Sequence, residues 1–250
     1  MKIDLNADVG ESYGAWTLGQ DSLLLPFLSS INIACGFHAA DPSTIWRTLE
    51  LAAKTGVAVG AHPSFPDRVG FGRREMSLEP NQIYADVLYQ IAALDGMARV
   101  QGLRLKHVKA HGALYNQAAT NISTARAIAK AVEAINPKLS FVGLPNSELQ
   151  TAALEFGLTF IAEGFPERAY LDNCQLAPRN MASSSIHDPA IAAARAVKMA
   201  LGRVETLSGQ TLEVNIETLC IHGDNPNAVA IANAVRAALE KAGFEIQAKV

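Results

Sequence analysis

Short apolar runs alternate along the chain with longer segments of helical period, and this alternation predicts an α/β fold. The apolar runs that predict β-strands are residues 2–9, 31–38, 56–63, 105–112, 139–145, 158–165 and 218–224. One amphipathic segment lies between most of them, as in residues 81–100, where apolar residues recur three or four positions apart. Because strands and helices alternate, we expect a parallel sheet whose strands are joined by helices.

Three of the predicted helices have a clear start signal, a polar residue followed by proline. The pairs are Asp41–Pro42, Asp188–Pro189 and Asn225–Pro226. In each pair the first side chain can cap free backbone N–H groups, and the proline takes the first helical position, where no N–H is needed. We therefore expect helices to begin at positions 42, 189 and 226.

The two faces of most predicted strands differ in polarity, which decides between a closed barrel and an open doubly wound sheet. Side chains alternate between faces along a strand. In residues 2–9, apolar Ile3 and Leu5 alternate with Asp4, Asn6 and Asp8. The small or polar faces of other strands carry Asn32 and His38, Gly60 and His62, His107, Lys109 and His111, Glu163, and His222 with Asp224. An open parallel sheet is apolar on both faces, so this pattern argues against it.

The first βα turn also lacks the G-x-G-x-x-G sequence that would support an open dinucleotide-binding sheet. A barrel with helices outside and a polar, partly hollow interior fits the pattern. We therefore predict an irregular TIM-like (β/α) barrel of about seven parallel strands, one short of the usual eight, with residues 1–250 forming a single domain.

Composition excludes several classes of partner. The chain has 250 residues, 49% of them hydrophobic, and a net charge of −3, so it has no basic surface for nucleic acid or for anionic membranes. No stretch approaches the ~18 apolar residues of a membrane span, and the N-terminus lacks the apolar run of a signal peptide. Three scattered cysteines argue against a disulfide framework. We expect a cytoplasmic protein without nucleic-acid or membrane partners.

The ionisable residues of the polar face cluster late in their strands, at the end of the barrel where barrel enzymes build active sites. The candidate catalytic residues are Asp8, His38, Lys109, His111, Glu163 and His222. Asp8, His62 and His111 could also bind a divalent metal with open coordination positions. A metal-free acid–base site built from the same residues is equally consistent with the sequence, because sequence spacing does not decide between the two.

Two predicted loops are unusually long and carry arginines. They are residues 62–77 and residues 163–189, and loops of this length in a compact domain are usually functional. Their arginines are Arg68, Arg73, Arg74, Arg168 and Arg179. Guanidinium groups bind carboxylates and phosphates well, so these loops predict a lid over a small anionic substrate.

Six ordered motifs together resemble the LamB/YcsF family, the A subunits of bacterial ATP-dependent 5-oxoprolinases. They are DLNADVGE, NIACGFHAADP, GAHPSFPDRVGFGRR, VKAHGALYN, AEGFPERAY with LAPR, and CIHGDNP, and they span residues 4–226. Two positions depart from the family pattern: Ala110 stands where proline is usual, and Ala40 where glycine is common. By strand alternation Ala110 faces outward, so we expect no effect of this change on the chemistry.

The resemblance implies cleavage of 5-oxo-L-proline to L-glutamate coupled to ATP hydrolysis, with two partner subunits, B and C. It also implies a barrel related to glycoside hydrolases and sugar deacetylases. The chain has no recognisable nucleotide motif, so we expect ATP to be used together with the partners. Two alternatives stay open: a stand-alone metal-dependent amidohydrolase or deacetylase, and a non-catalytic substrate-binding subunit. The oligomeric state, including a homo-oligomer, also stays open.

Overall fold

A closed barrel of parallel strands forms the centre of the structure, a computed structural model that describes residues 1–249. The strands are β1 Lys2–Val9, β2 Ser30–Ala34, β3 Ala58–His62, β4 Leu105–Lys109, β5 Ser140–Gly143, β6 Phe160–Gly164, β7 Arg203–Glu205, β8 Thr211–Glu213, β9 Thr218–His222 and β10 Glu245–Ile246. The helices are α1 Asp21–Leu24, α2 Pro42–Thr55, α3 Pro80–Val100, α4 Gly112–Thr120, α5 Ile122–Ile135, α6 Glu148–Glu155, α7 Pro189–Ala200 and α8 Ala228–Lys241, with a short 3-10 helix at Leu25–Phe27.

Seven strands close the barrel in the order β1, β2, β3, β4, β5, β6 and β9, and β9 pairs in parallel with both β6 and β1. This closure confirms the predicted barrel of seven parallel strands. β10 adds to the outer edge at the start of β1, and β7 and β8 form an antiparallel hairpin. The sequence pattern did not predict these three short strands. That residues 1–250 form one domain stays a prediction.

The interior of the barrel is polar, as the strand alternation predicts, but most of it is filled. Asn6 donates to Glu163 Oε1 at 3.1 Å and to Thr218 Oγ1 at 2.7 Å, and it accepts from Asn32 Nδ2 at 2.7 Å. The Thr218 hydroxyl in turn donates to Asp4 Oδ2 at 2.6 Å. These side chains are almost completely buried and hydrogen-bond to one another, so they fill this part of the barrel interior.

The helix starts follow the predicted caps in two cases out of three. Asp41 accepts from the N–H groups of Ser43 and Thr44, and Asp188 caps α7 in the same way. The predicted helix start at Asn225 is wrong, because α8 begins at Ala228 and the Asn225 side chain donates to Glu167 instead. Within residues 1–249, no helix combines the length and apolarity needed to cross a bilayer.

Gly60 on β3 leaves room for a side chain that crosses the barrel. A Cβ atom at this position would lie 2.1 Å from His107 Nε2, which is 2.7 Å from Asn32 Oδ1. No methyl group fits there unless His107 moves and gives up that hydrogen bond. The glycine is therefore required by the packing of the polar interior.

We predict that Gly60→Ala lowers the free energy of unfolding by about 1–3 kcal/mol, the usual cost of overpacking a filled core. Urea denaturation monitored by circular dichroism measures this change. Gly96→Ala is the matched control, because nothing lies within 4 Å of a Cβ there and α3 gains helix propensity of up to about 1 kcal/mol. Equal stabilities for the two variants would contradict the packing argument.

Candidate functional site

The strand ends open into a cavity of about 380 Å³. Most of the residues predicted from sequence line it: Asp8, His62, Lys109, His111 and His222 from the strands or the residues just beyond them, and Arg73, Arg168 and Arg179 from the long loops. Two predicted catalytic residues lie behind this wall rather than on it. His38 stacks on the far side of His111, and Glu163 is completely buried beneath Lys109.

Lys109 is the central cation of the site. Its Nζ lies 2.9 Å from Asp8 Oδ1, 2.8 Å from Glu163 Oε1 and 2.9 Å from Cys220 Sγ. Burial alone would lower the pKa of Lys109, but the carboxylates of Asp8 and Glu163 outweigh burial and raise this pKa well above its usual value. All three ammonium protons have partners, so Lys109 organises the site rather than binding substrate directly.

Asp8 is held as a carboxylate at the end of β1. Burial raises the pKa of Asp8, but His62 and Lys109 have the larger combined effect and hold it well below its usual range. Its Oδ1 accepts from Lys109 and from Asn32 Nδ2, the latter at 2.9 Å. Its Oδ2 faces His62 Nε2 at 3.4 Å. One oxygen is thus fixed by the barrel and the other points toward the histidines.

Three histidines lie together at one side of the cavity, where His62 and His111 form the wall and His38 lies behind His111. His62 Nδ1 is 2.7 Å from the carbonyl oxygen of Lys109, and His111 Nε2 is 2.8 Å from that of Phe71. The other two ring nitrogens, His62 Nε2 and His111 Nδ1, face each other at 3.0 Å. The His38 ring stacks on the His111 ring with centroids 3.8 Å apart. Burial lowers the pKa of both His38 and His111 well below the usual value, so these two rings are neutral.

Glu11 completes this wall and was missed by the sequence analysis. It lies two residues beyond the end of β1 and is buried. Its Oε1 is 3.2 Å from His38 Nε2 and 3.7 Å from His111 Nδ1. Burial, together with the nearby charge of Asp8, raises the pKa of Glu11 well above its usual value. The available signal was its place in the motif DLNADVGE, because strand alternation does not extend past the strand.

His222 lies on the opposite side of Asp8 and is oriented by Glu167, a second residue that the sequence analysis missed. Glu167 Oε2 accepts from the backbone N–H of His222 at 2.8 Å and faces its Nδ1 at 3.4 Å. Glu167 Oε1 accepts from the Asn225 side chain, and the His222 ring stacks on Phe165. Glu167 therefore holds His222 Nδ1, which leaves Nε2 as the ring nitrogen available to a ligand.

The five arginines of the long loops separate into two groups. Arg68 lies over the Tyr13 ring and donates to the Gly36 carbonyl, and Arg74 pairs with Asp67. Neither lines the cavity: Arg68 contacts residues that follow β1 and β2, and Arg74 contacts a residue of its own loop. That these two arginines cover the substrate stays a prediction.

The other three arginines remain at the cavity. Arg73 pairs with Asp224, and Arg168 donates to the carbonyl oxygens of Ala177 and Ser184, which fixes the loop after β6. Within residues 1–249, no carboxylate lies within ion-pair distance of Arg179, which makes it the arginine best placed to bind an anion.

Strand alternation was extended past the strand ends for two residues, Ala110 and His38, and gave the wrong position for their side chains. β4 ends at Lys109, so Ala110 does not face outward under the helices but lines the cavity. β2 ends at Ala34, and His38 reaches the site through a turn in which Gly36 and Ala40 have φ values of 95° and 68°. Left-handed backbone at Ala40 explains why glycine suits that position in the family pattern.

Comparison with known proteins gives a consistent result. The sequence model of the LamB/YcsF family matches residues 3–250. A relative from Thermus thermophilus, named as the A subunit of 5-oxoprolinase, is 57% identical over 99% of this chain and 100% of its own length. A relative of the same name from Deinococcus radiodurans is 51% identical over 98% of this chain and 96% of its own. A crystal structure of a lactam utilization protein from Thermus thermophilus superposes with a TM-score of 0.94, at 55% identity, over 99% of this chain and 100% of that one.

We predict that Lys109→Met lowers the free energy of unfolding by about 3–5 kcal/mol, because it leaves the carboxylates of Asp8 and Glu163 buried without their cation. Urea denaturation at pH 7 measures the change. Lys106→Met, at an exposed lysine on the same strand, should stay within about 0.5 kcal/mol of the unmodified chain.

Adding Glu163→Gln to Lys109→Met removes one of the two stranded charges and should restore about 1 kcal/mol or more, the size expected for coupled neighbours. Unchanged stability of the single variant, or strictly additive losses in the double variant, would show that Lys109 is not the cation that balances these carboxylates.

Proposed function

Because the chain belongs to the LamB/YcsF family, we propose that it is the A subunit of a 5-oxoprolinase and takes part in cleaving 5-oxo-L-proline, a five-membered lactam, to L-glutamate. The observation that carries this proposal is the cavity at the strand ends, where Asp8, the histidine wall and the Glu167–His222 pair converge. A small anionic lactam matches a cavity of about 380 Å³ that Arg179 and Arg73 flank.

The proposal includes coupling to ATP and two partner subunits, B and C, acting in the cytoplasm. A lactam is a stable amide, and phosphorylation of its oxygen would make the carbonyl carbon a better electrophile. The chain contains no G-x-x-x-x-G-K-S/T sequence, so the partners would supply the activating step. The resemblance to the family supports this division of labour, and the relatives carry the name of one subunit of a larger enzyme.

The geometry supports distinct roles for the residues around the cavity. Arg179, with Arg73, would bind the substrate carboxylate or a phosphoryl group. His222, held by Glu167, would take a proton from the attacking water and return it to the departing ring nitrogen. Tyr115 lines the cavity, and burial together with the charge of nearby Glu163 raises its pKa well above the usual value, so its hydroxyl stays protonated.

One specific observation favours the stand-alone metal-dependent amidohydrolase as a second candidate. Glu11, His38, His62 and His111 bring their ligand atoms within 4.8 Å of one another, a grouping that could hold a metal ion. A metal-bound water could attack an amide without ATP. The two candidate functions therefore differ in whether the chain needs its partners and ATP.

We predict that the purified chain alone forms no glutamate from 5-oxoproline, and that adding subunits B and C produces glutamate together with 5-oxoproline-dependent ATP hydrolysis. Both products are measured in the same reaction. Glutamate formation by the chain alone without ATP would instead support the amidohydrolase. Omission of each subunit in turn from the three-subunit mixture is the control.

We predict that His222→Gln lowers kcat in the three-subunit enzyme by about 10²–10⁴-fold, the usual contribution of a positioned acid–base group. Glu167→Gln should lower kcat by a smaller factor with KM little changed, because it affects the orientation of His222 rather than binding. His187→Gln, at an exposed histidine of the same loop region, should keep full activity. Normal turnover by the first two variants would support a non-catalytic substrate-binding subunit.

A further inference from the structure

The hydrogen bonds of His62 and His111 determine where their protons lie. A carbonyl oxygen only accepts hydrogen bonds, so His62 Nδ1 and His111 Nε2 must both carry hydrogen to bond the carbonyls of Lys109 and Phe71. The second ring nitrogens, His62 Nε2 and His111 Nδ1, face each other across 3.0 Å.

Two carboxylate oxygens lie next to these nitrogens. Asp8 Oδ2 lies 3.4 Å from His62 Nε2, and Glu11 Oε1 lies 3.7 Å from His111 Nδ1. Two imidazole nitrogens and two carboxylate oxygens, atom types that bind divalent metals, thus follow one another along one buried side of the cavity. From this convergence we propose that a divalent metal ion binds there, with His62, His111, Glu11 and Asp8 as its ligands.

Successive atoms along this row are spaced like neighbouring ligands of one metal ion. Zinc–nitrogen and zinc–oxygen bonds of about 2.0–2.2 Å place neighbouring ligand atoms roughly 3.0–3.5 Å apart. The observed neighbours are 3.0, 3.4 and 3.7 Å apart. Two imidazoles and two carboxylates suit Zn²⁺, Mn²⁺, Fe²⁺ or Co²⁺ rather than the all-oxygen sites of Ca²⁺ or Mg²⁺. The site faces the cavity, so an open position can meet substrate.

The residues around these ligands hold them as metal sites do. Metal-binding histidines donate their second N–H to a carbonyl or carboxylate, and the Lys109 and Phe71 carbonyls have that role here. Lys109 and Asn32 fix the other oxygen of Asp8. His38 Nε2 lies 3.2 Å from Glu11 Oε1 and its ring stacks behind His111, so we assign His38 the role of positioning Glu11, although its ligand atom belongs to the same close group.

The proposed ligand set differs from the set predicted from sequence, Asp8, His62 and His111, by adding Glu11. Glu11 lies on the side of the site toward His38.

A second group, Asp8, Cys220 and His222, brings ligand atoms equally close but fits a metal less well. Cys220 Sγ is 2.9 Å from the Lys109 ammonium, a cation that would repel a metal ion. Burial and the charge of Asp8 raise the pKa of the Cys220 thiol well above its usual value, and a protonated thiol is a poor ligand. Metal titration of variants from each group of residues distinguishes between the two sites.

The test measures metal binding directly, so it is independent of the proposed function whose cofactor it would identify. The full chain, stripped with chelator, is titrated with Zn²⁺ by calorimetry and with Co²⁺ by visible absorption. We expect about one ion per chain and the intense d–d bands of low-coordinate cobalt. Glu11→Gln and His62→Gln should each weaken binding at least 100-fold, and His38→Gln by 10–100-fold, as for residues that position a ligand.

His222→Gln and Cys220→Ser are the matched controls and should bind Zn²⁺ like the unmodified chain. The proposal is overturned if the chain takes up no Zn²⁺ or Co²⁺ at millimolar concentration, or if binding survives in Glu11→Gln and His62→Gln but is lost in the two controls. Metal binding without oxoprolinase activity in the three-subunit mixture would refute the proposed function alone, and oxoprolinase activity of a chain that takes up neither Zn²⁺ nor Co²⁺ would refute the metal site alone.

Discussion

The contact of Lys109 with Asp8 and Glu163 is the interaction on which the rest of the site depends. Lys109 lies on β4, and its side chain crosses the barrel to partners on β1 and β6. Its ammonium fixes one oxygen of Asp8 and leaves the other facing the histidines, while its backbone carbonyl orients the His62 ring. One residue thus orients the His62 ring and, together with His62, holds Asp8 as a carboxylate.

The part of the site that lies within the strands could be predicted from sequence. Strand alternation placed Asp8, Lys109 and Glu163 in a common interior because their backbone is extended. The rule fails where the strands end. Glu11 and Ala110 lie just beyond a strand and follow turns whose direction no periodic pattern encodes.

The loops were the least predictable part, for a related reason. The sequence groups five arginines by position, yet their roles depend on which carbonyls or carboxylates the folded loop brings to them. Arg74 meets Asp67 seven residues earlier, whereas Arg73 meets Asp224 from the far end of the chain. Glu167 also becomes a positioning residue only because the fold brings it into hydrogen-bond contact with His222 and Asn225. Such long-range partners leave no local signal, although the family resemblance includes the motifs that contain these residues.

The closure of the barrel by β9 against β1 also affects how the protein acquires its structure. Asp8 and His222 are direct neighbours in that ladder, although they come from opposite ends of the chain. A chain emerging from the ribosome therefore cannot complete the cavity until β9 has been synthesised. Until then the carboxylates and lysine of the interior remain hydrated, and their desolvation is deferred to the final closure. Pairing between strands that are far apart in sequence slows folding. We therefore expect the pairing of β9, the last strand of the barrel, with β1 to limit the folding rate.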